Sequence, residues 1–259
     1  MKGLTRLIIS DNRIENLQNK KFKLSYKEAH YVNKVMRLRM GDQISIVNGK
    51  GSLWKGIKKD NNFIEIEEID KPSLFQEKKK FLLGIAISIP KNGFEDILKM
   101  STEIGIDFIQ PLYSDHQIKN FVNTKTKMTR WNAIINEAVE QCERLWKPEL
   151  LDILDLYEWV KLAKEKYILS TSVTRNQNCM YLQEWLKRQT FLINQSSVLW
   201  NIIGPEGGWS EKELLFFEEN KIQFIKLSDS IMRTSTAAIN ASSILNQWRS
   251  YDTKSFYKK

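Results

Sequence analysis

The sequence is poor in cysteine and histidine, and it has no long hydrophobic run. Its two cysteines, Cys142 and Cys179, lie far apart among 259 residues and belong to no CxxC pair, so neither a disulfide framework nor a zinc knuckle is expected. Two histidines without an HExxH motif give no basis for a catalytic metal site. The longest apolar stretch, residues 81–89, is far shorter than the roughly 20 residues of a membrane-spanning helix.

Three common phosphate-binding or catalytic motifs are also absent. The sequence contains no GxxxxGKS/T, which excludes a P-loop, and no GxGxxG after an early strand, which removes the usual dinucleotide fingerprint. It contains no GxSxG, so an α/β-hydrolase has little support. The first six residues show neither an apolar core nor a small-residue cleavage site. A secretory signal is therefore not expected, and the cytoplasm is the expected location.

The excess of basic residues lies almost entirely in the first third of the chain. The whole sequence has 40 Lys and Arg against 31 Asp and Glu, a net charge of +9. Residues 1–80 contain 18 basic and 10 acidic residues, whereas residues 81–259 contain 22 and 21. This asymmetry is typical of a polyanion-binding module joined to a neutral one, although a basic surface that only keeps the protein soluble fits the charge equally well.

The basic first third is predicted to be mostly β-structure. Ser25 and Glu28 have the spacing of a capping box, which predicts a helix that starts there and ends near Gly41. That helix would carry His30, Lys34, Arg37 and Arg39. Short strands are predicted at residues 43–47, 52–58 and 63–69, the first followed by an Asn-Gly turn. The pattern indicates a small antiparallel barrel over residues 1–74, with a linker at residues 75–80.

After Lys80 the pattern changes to alternating strands and helices. Apolar strands are predicted at residues 81–89, 108–113, 167–170, 198–203 and 224–227. Helices are predicted at residues 94–104, 129–145, 181–188, 211–220 and 236–248, with Gly105 ending the first and Ser210 capping the fourth. This alternation predicts an α/β domain with a parallel sheet over residues 81–259.

The most distinctive segment is Gly204-Pro-Glu-Gly-Gly208, which follows an apolar strand and precedes a helix. Three glycines in five positions let the backbone approach a ligand closely, and open α/β sheets bind ligands at the carboxyl ends of their strands. The alternative is a plain tight turn with Glu206 in solvent. The number of glycines at this position favours a ligand-binding loop.

A second loop of the same kind runs from Leu227 to the last helix. Thr234 or Ser235 is expected to cap that helix. An arginine just before a helix N-terminus opposes the dipole preference, so Arg233 is expected to reach for a phosphate or carboxylate instead.

Together these two segments resemble the RsmE family of 16S ribosomal RNA uridine-N3 methyltransferases, in the SPOUT superfamily. The resemblance rests on Ile203-Gly-Pro-Glu-Gly-Gly208 and on the Ile231-Met-Arg-Thr-x-Thr-Ala run that follows. Weaker blocks agree in order along the chain, at residues 30–42, 99–112 and 137–149. The likeness covers essentially the whole sequence.

The resemblance implies a PUA-like RNA-binding module followed by a SPOUT domain with a deep trefoil knot, assembled as a homodimer. It implies S-adenosylmethionine as cofactor, N3 of a specific uridine in the 16S RNA of the small ribosomal subunit as target, and neither a metal nor a membrane partner. The cofactor residues would be Ser170, Thr171, Ile203, Gly204, Pro205, Glu206, Gly208, Leu227, Ile231 and Met232. Arg233 would be catalytic, and RNA would be held by Arg6, Lys34, Arg37, Arg39, Lys91 and Arg144.

The chain also departs from the family pattern at three serines. Ser228 stands where glycine is usual, Ser230 where arginine is usual and Ser235 where glutamate is usual. Two alternatives therefore stay open: a SPOUT ribose 2′-O-methyltransferase, and a ribosome-associated RNA-binding relative that does not methylate. The residues identify no general base.

Overall fold

The structure is a computed structural model that describes residues 5–15, 17, 20–117, 124–173, 179–189 and 197–255. The chain divides into two compact units, Met1–Lys78 with Asn136–Lys147 and Lys79–Ile135 with Pro148–Lys259. The predicted division at residues 74–80 is linear, whereas these units interleave because residues 136–147 return to the first. The linear domain boundaries remain a prediction.

The first unit is built on a mainly antiparallel sheet. Its described strands are β1 (Arg6–Ile8), β2 (Lys21–Lys23), β3 (Gln43–Val47), β4 (Ser52–Lys58), β5 (Phe63–Ile66) and β6 (Leu74–Phe75). The order is β1-β3-β4-β5-β2, with β6 on β4, and only the described pair β1–β3 is parallel. The strands predicted at residues 43–47 and 52–58 are confirmed, and the third ends three residues early. The strands β1, β2 and β6 were not predicted, because a strand of two or three residues is too short to show an alternation of apolar and polar residues.

The helical part of the first unit is shorter than predicted. It comprises α1 (Asp11–Glu15), α2 (Tyr26–His30) and a π turn at Tyr31–Val35. The predicted capping box is confirmed, since Ser25 Oγ accepts from Glu28 N and Glu28 Oε2 accepts from Ser25 N at 2.7 Å. The prediction of a helix up to Gly41 is wrong. Arg37 has a left-handed φ of 55°, so Arg37 and Arg39 lie in a loop beyond the helical turns.

The second unit contains a parallel sheet, which confirms the predicted α/β class. Its described strands are β7 (Leu82–Ser88), β8 (Phe108–Tyr113), β9 (Glu149–Leu150), β10 (Leu154–Asp155), β11 (Ile168–Ser172), β12 (Val198–Ile203) and β13 (Gln223–Ile225). They are ordered β10-β8-β7-β12-β11-β13, with β9 on β8, and every described pair is parallel.

The described helices of the second part of the chain are α3 (Phe94–Ile104), α4 (Thr124–Cys142), α5 (Leu156–Ala163), α6 (Leu182–Arg188), α7 (Glu211–Glu219) and α8 (Thr234–Ser255). All five predicted helices are confirmed. The α3 bounds agree at both ends because Gly105, with φ of 115°, ends the helix. The element α5, which the sequence pattern did not predict, starts at an Asp155 side-chain cap. None of the described helices is long and apolar enough to cross a membrane.

The centre of this sheet is packed around one large side chain. Trp200 on β12 is 2% exposed and lies opposite Gly84 on β7 in the strand register. A Cβ at Gly84 would lie 2.3 Å from the indole, so only glycine leaves room for the ring. The rings of Phe108 and Trp159 pack against the same indole. This packing fixes β7 against β12 and so determines where the loop after β12 emerges.

A partly buried carboxyl group lies in the first unit. Glu140 belongs to the part of α4 that is grouped with this unit, and its Oε1 accepts a hydrogen bond from Ile8 N at 2.9 Å. Burial raises the pKa of Glu140 to about 7, and the nearby Glu137 and Glu28 carboxylates add to this. Hydrogen bonds from Ile8 N and the Tyr31 hydroxyl act in the opposite direction.

This raised pKa predicts a pH-dependent stability of the first unit. Between pH 4.5 and 7 the folded chain holds a proton on Glu140 that the unfolded chain has lost. The stabilisation that comes from this protonated carboxyl is complete below about pH 4.5 and is lost as the pH rises through 7. Relative to Glu140→Gln, the free energy of unfolding of the wild type should fall by about 2 kcal/mol from pH 5 to pH 8. Urea denaturation at several pH values measures this. The exposed Glu68→Gln serves as control, and parallel wild-type and Glu140→Gln curves would contradict the prediction.

Candidate functional site

The glycine loop, residues 204–210, connects β12 to α7 and folds back around a tryptophan. A Cβ at Gly204 would lie 3.0 Å from the Trp209 ring, and Gly208 has a left-handed φ of 75°. Trp209 Nε1 donates to Ser172 O at 3.2 Å, which joins the loop to the end of β11. Ser210 caps α7, as predicted, and Glu213 completes a capping box with it. Glycine is therefore required at position 204 by the close approach of the Trp209 ring and at position 208 by the left-handed backbone conformation.

The second loop, residues 226–233, runs from β13 to α8 and is tied to the glycine loop. Thr234 Oγ1 donates to Gly204 O at 3.0 Å. Asn240 Nδ2 on α8 donates to Leu227 O at 3.2 Å and lies 3.7 Å from Met232 Sδ. The prediction that Thr234 or Ser235 caps the last helix is wrong, because α8 already begins at Thr234. The Thr234 hydroxyl instead holds the two loops together.

These two loops enclose a cavity of about 600 Å³ at the carboxyl ends of the central strands. Its walls come from residues 203–209, Ile231 and Met232, together with residues of the neighbouring strands and helices. Most wall side chains are apolar. Glu206 and Glu218 are the acidic members, and the described wall contains no Lys, Arg or His. The cavity is thus suited to a ligand with an apolar part and a positive charge.

Seven of the ten predicted cofactor residues line this cavity: Ile203, Gly204, Pro205, Glu206, Gly208, Ile231 and Met232. The other three do not. Ser170 and Thr171 are fully buried within β11, where Ser170 Oγ accepts from Asn201 Nδ2 at 2.9 Å and Thr171 Oγ1 donates to Ile202 O at 3.4 Å. Leu227 lies in the second loop outside the described wall, with its carbonyl bonded to Asn240. Ser170 and Thr171 therefore bond within the sheet, and Ser172, the last residue of β11, lines the cavity.

Several wall residues were not predicted. Leu214 and Glu218 lie four residues apart on α7, which places them on one face of the helix. That spacing is readable in the sequence once α7 is known to follow the ligand loop. Trp209, Phe224 and Ala237 carry no such signal, because their places depend on how distant segments meet.

Arg233 lies between two wall residues, Met232 and Thr234, while its own side chain is exposed. Among the described residues, its guanidinium has no hydrogen bond or ion pair. An unpaired guanidinium at the rim of a cavity is available to a phosphate or a base of a bound nucleic acid. Of the three atypical serines, Ser228 accepts a hydrogen bond from Ser230 N at 3.1 Å, and none belongs to the described wall.

The predicted RNA-contacting residues of the first unit differ in accessibility. Lys34, Arg37 and Arg39 are exposed on the π turn and the loop after it. Arg6 is engaged within the unit, because its guanidinium donates to the Glu143 carbonyl and to Glu143 Oε2 at 3.1 Å. The structure therefore gives Arg6 a partner within its own unit, and its contact with RNA stays a prediction.

The remaining two candidates are in different environments. Arg144 is partly buried in the first unit. In the second unit Lys91 has an exposed side chain, and its backbone N donates to Glu206 Oε1 at 3.1 Å. Lys91 thus holds the glycine loop through its backbone while its side chain stays available. Within the described ranges, no group of three or more His, Cys, Asp or Glu side chains is arranged to hold a metal ion.

Comparison with known families gives two matches that together span most of the chain. A family model described as an RNA methyltransferase domain matches residues 77–246, and one described as an RNA methyltransferase PUA domain matches residues 24–75. Two curated relatives named ribosomal RNA small subunit methyltransferase E are each 30% identical over 86% of this chain. They come from Synechocystis sp., with 72% of its length covered, and Rickettsia conorii, with 88%.

Solved structures share the fold. A ribosomal RNA small subunit methyltransferase E from Neisseria gonorrhoeae, bound to S-adenosylmethionine, superposes with a TM-score of 0.78 at 23% identity, over 94% of this chain and 97% of its own. A Legionella pneumophila protein in complex with the same cofactor gives a TM-score of 0.80 at 24% identity, over the same shares. At these identities the likeness establishes a common architecture.

Proposed function

Because the chain belongs to the ribosomal RNA small subunit methyltransferase E family, we propose that it methylates N3 of a specific uridine in 16S ribosomal RNA, with S-adenosylmethionine as the methyl donor. The observation that carries this proposal is the cavity formed by the glycine loop and the second loop. It lies at the carboxyl ends of parallel strands, where α/β sheets bind ligands.

The wall of the cavity suits this cofactor. A volume of about 600 Å³ lies within the roughly 300–1,000 Å³ of small-ligand sites. S-adenosylmethionine carries a positive sulfonium and an ammonium group, and the charged wall residues are the carboxylates Glu206 and Glu218. Apolar residues such as Leu214 and Phe224 suit its adenine ring. When bound, the cofactor supplies an electrophilic methyl group.

The residues of the chain position the reactants. The Thr234–Gly204 hydrogen bond keeps the two loops together around the cavity. Arg233 at the rim would hold the phosphate or base of the target uridine next to the cofactor. Catalysis of this kind depends mainly on proximity and orientation, together with loss of the N3 proton.

The first unit would bind the RNA. Residues 1–80 carry a net charge of +8, and Lys34, Arg37 and Arg39 expose their charges around the π turn. The match of residues 24–75 to an RNA methyltransferase PUA domain supports the same role. Phosphate contacts by such side chains position RNA without reading its sequence.

The proposal extends to the finer architecture of the family. It includes a PUA-like module at residues 1–74, a SPOUT domain with a trefoil knot at residues 81–259, and a homodimer. The sheet order supports an unusual chain path, because β11 lies between the later strands β12 and β13.

Titration and product analysis test the function. We expect calorimetry to show one S-adenosylmethionine per chain, and mass spectrometry of methylated small ribosomal subunits to identify 3-methyluridine. Formation of a 2′-O-methylnucleoside would favour the ribose methyltransferase. Absence of cofactor binding to folded protein would favour an RNA-binding relative that does not methylate.

Arg233 is predicted to act on the RNA and not on the cofactor. Arg233→Ala should lower kcat/KM for the RNA substrate about 10- to 100-fold, because it removes a charged hydrogen-bond donor at the rim. The dissociation constant of S-adenosylmethionine should change less than about twofold. Methyl-transfer kinetics and calorimetry measure both, with the exposed Arg188→Ala as control. A large loss of cofactor affinity would contradict this assignment.

A further inference from the structure

The turn after β8, residues 114–117, is hydrogen-bonded to the end of β7. Ser88 Oγ donates to Ser114 Oγ, and Gln117 Nε2 donates to Ile89 O. Gln117 Oε1 accepts from Ser114 N at 3.1 Å, which closes the turn on itself. The turn therefore offers a fixed support next to the glycine loop.

Asp115 reaches from this turn to the far end of the glycine loop. Its Oδ2 accepts from Ser210 Oγ at 2.7 Å and from the Tyr157 hydroxyl at 2.9 Å. Its backbone N donates to Glu213 Oε1 at 2.9 Å, while Glu213 Oε2 accepts from Ser210 N at 2.7 Å. Glu213 is fully buried, so both of its oxygens are used to fix the end of the loop.

Two further groups complete this contact. His116 Nδ1 lies 2.8 Å from Gly208 O, and because a carbonyl can only accept, the imidazole donates. Burial and the Asp115 carboxylate raise the pKa of Tyr157 to about 12, so its hydroxyl stays a donor at neutral pH. The glycine loop is thus held by two side chains of the turn after β8, and Tyr157 of α5 supports Asp115; none of these residues belongs to the described cavity wall.

We propose that Asp115 and His116 are positioning residues that hold the glycine loop in its ligand-binding conformation. This inference rests on the proposed function, since it assigns the loop to S-adenosylmethionine. Neither residue touches the cavity, so the two act through Ser210 and Gly208. A loop that contains three glycines loses much conformational freedom when it is ordered. The contacts of Asp115 and His116 order the loop before the ligand binds, so ligand binding does not have to supply that entropy.

The test compares Asp115→Ala and His116→Ala with the wild-type chain. We expect each variant to raise the dissociation constant and the KM for S-adenosylmethionine about tenfold, while kcat changes less than about threefold. Loss of pre-organisation weakens binding of the ligand and the transition state alike, which produces this split. Amide hydrogen exchange without ligand should accelerate at Gly208 and Ser210.

Two controls separate this role from general destabilisation. Asp115→Asn keeps an oxygen acceptor and should recover affinity to within about threefold, whereas Asp152→Ala removes an exposed carboxylate of the same unit and should change nothing. Wild-type affinity or wild-type amide exchange in Asp115→Ala would overturn the inference. A wild-type chain that binds no S-adenosylmethionine would overturn the proposed function itself, and with it the assignment of the loop.

Discussion

Replacing Arg249 by methionine is expected to lower the free energy of unfolding of the second unit by about 3–5 kcal/mol. The Arg249 side chain is 2% exposed and forms an ion pair with Asp107, itself 12% exposed. It also donates to Gly105 O at 2.8 Å and to Asn246 Oδ1 at 3.0 Å. Methionine fills similar space but leaves the Asp107 carboxylate buried without its cation, which is the costly half of breaking such a pair.

Chemical denaturation of Arg249→Met, of a control variant and of the wild type measures this loss of stability. The matched control is Arg188→Met, which removes an exposed arginine paired with Glu184 on α6 and should cost less than about 1 kcal/mol. Equal and small losses for the two variants would show that the Arg249 pair does not stabilise the fold.

Gly204→Val is expected to weaken S-adenosylmethionine binding at least 100-fold, about 2.7 kcal/mol. The first added carbon alone would lie 3.0 Å from the Trp209 ring, and valine adds two methyl groups beyond it. Trp209 cannot simply turn away, because its Nε1 is bonded to Ser172 O. The loop must therefore open at the point where Thr234 holds it closed.

Calorimetric titration of the purified variant measures the affinity, and its thermal unfolding shows that it remains folded. Gly207→Ala is the matched control in the same loop, since a Cβ there meets only His116 at an ordinary 3.4 Å. That variant should lose less than about fivefold. Unchanged affinity in Gly204→Val would remove the glycine loop from the cofactor site.

Local signals in the sequence predicted the elements well. The capping residues Ser25 and Ser210 and the helix-ending Gly105 act within a few residues of the bonds they make, so their effects can be read directly. The helix after Ser25 was overextended for a related reason. The left-handed backbone at Arg37 interrupts it, and arginine gives no warning of that conformation.

Contacts between residues that are far apart in the chain were indicated much more weakly by the sequence. The family resemblance places Arg6 on the RNA, whereas in the structure its partner Glu143 lies 137 residues away. The family resemblance places Ser170 and Thr171 at the cofactor, whereas in the structure their hydroxyl groups bond to β12 beside them. In each case a neighbour that is distant in sequence determines what the side chain does.

The sequence by itself determined the alternation of strands and helices, the concentration of positive charge in the first 80 residues and the two loops that enclose the cavity. These depend on local backbone preference and composition, which a linear chain displays openly. Only the tertiary structure decided that residues 136–147 join the first unit and that Asp115, in the turn after β8, holds the glycine loop. Those outcomes depend on which strands become neighbours in the sheet, and β8 and β12 come within reach only because both flank β7.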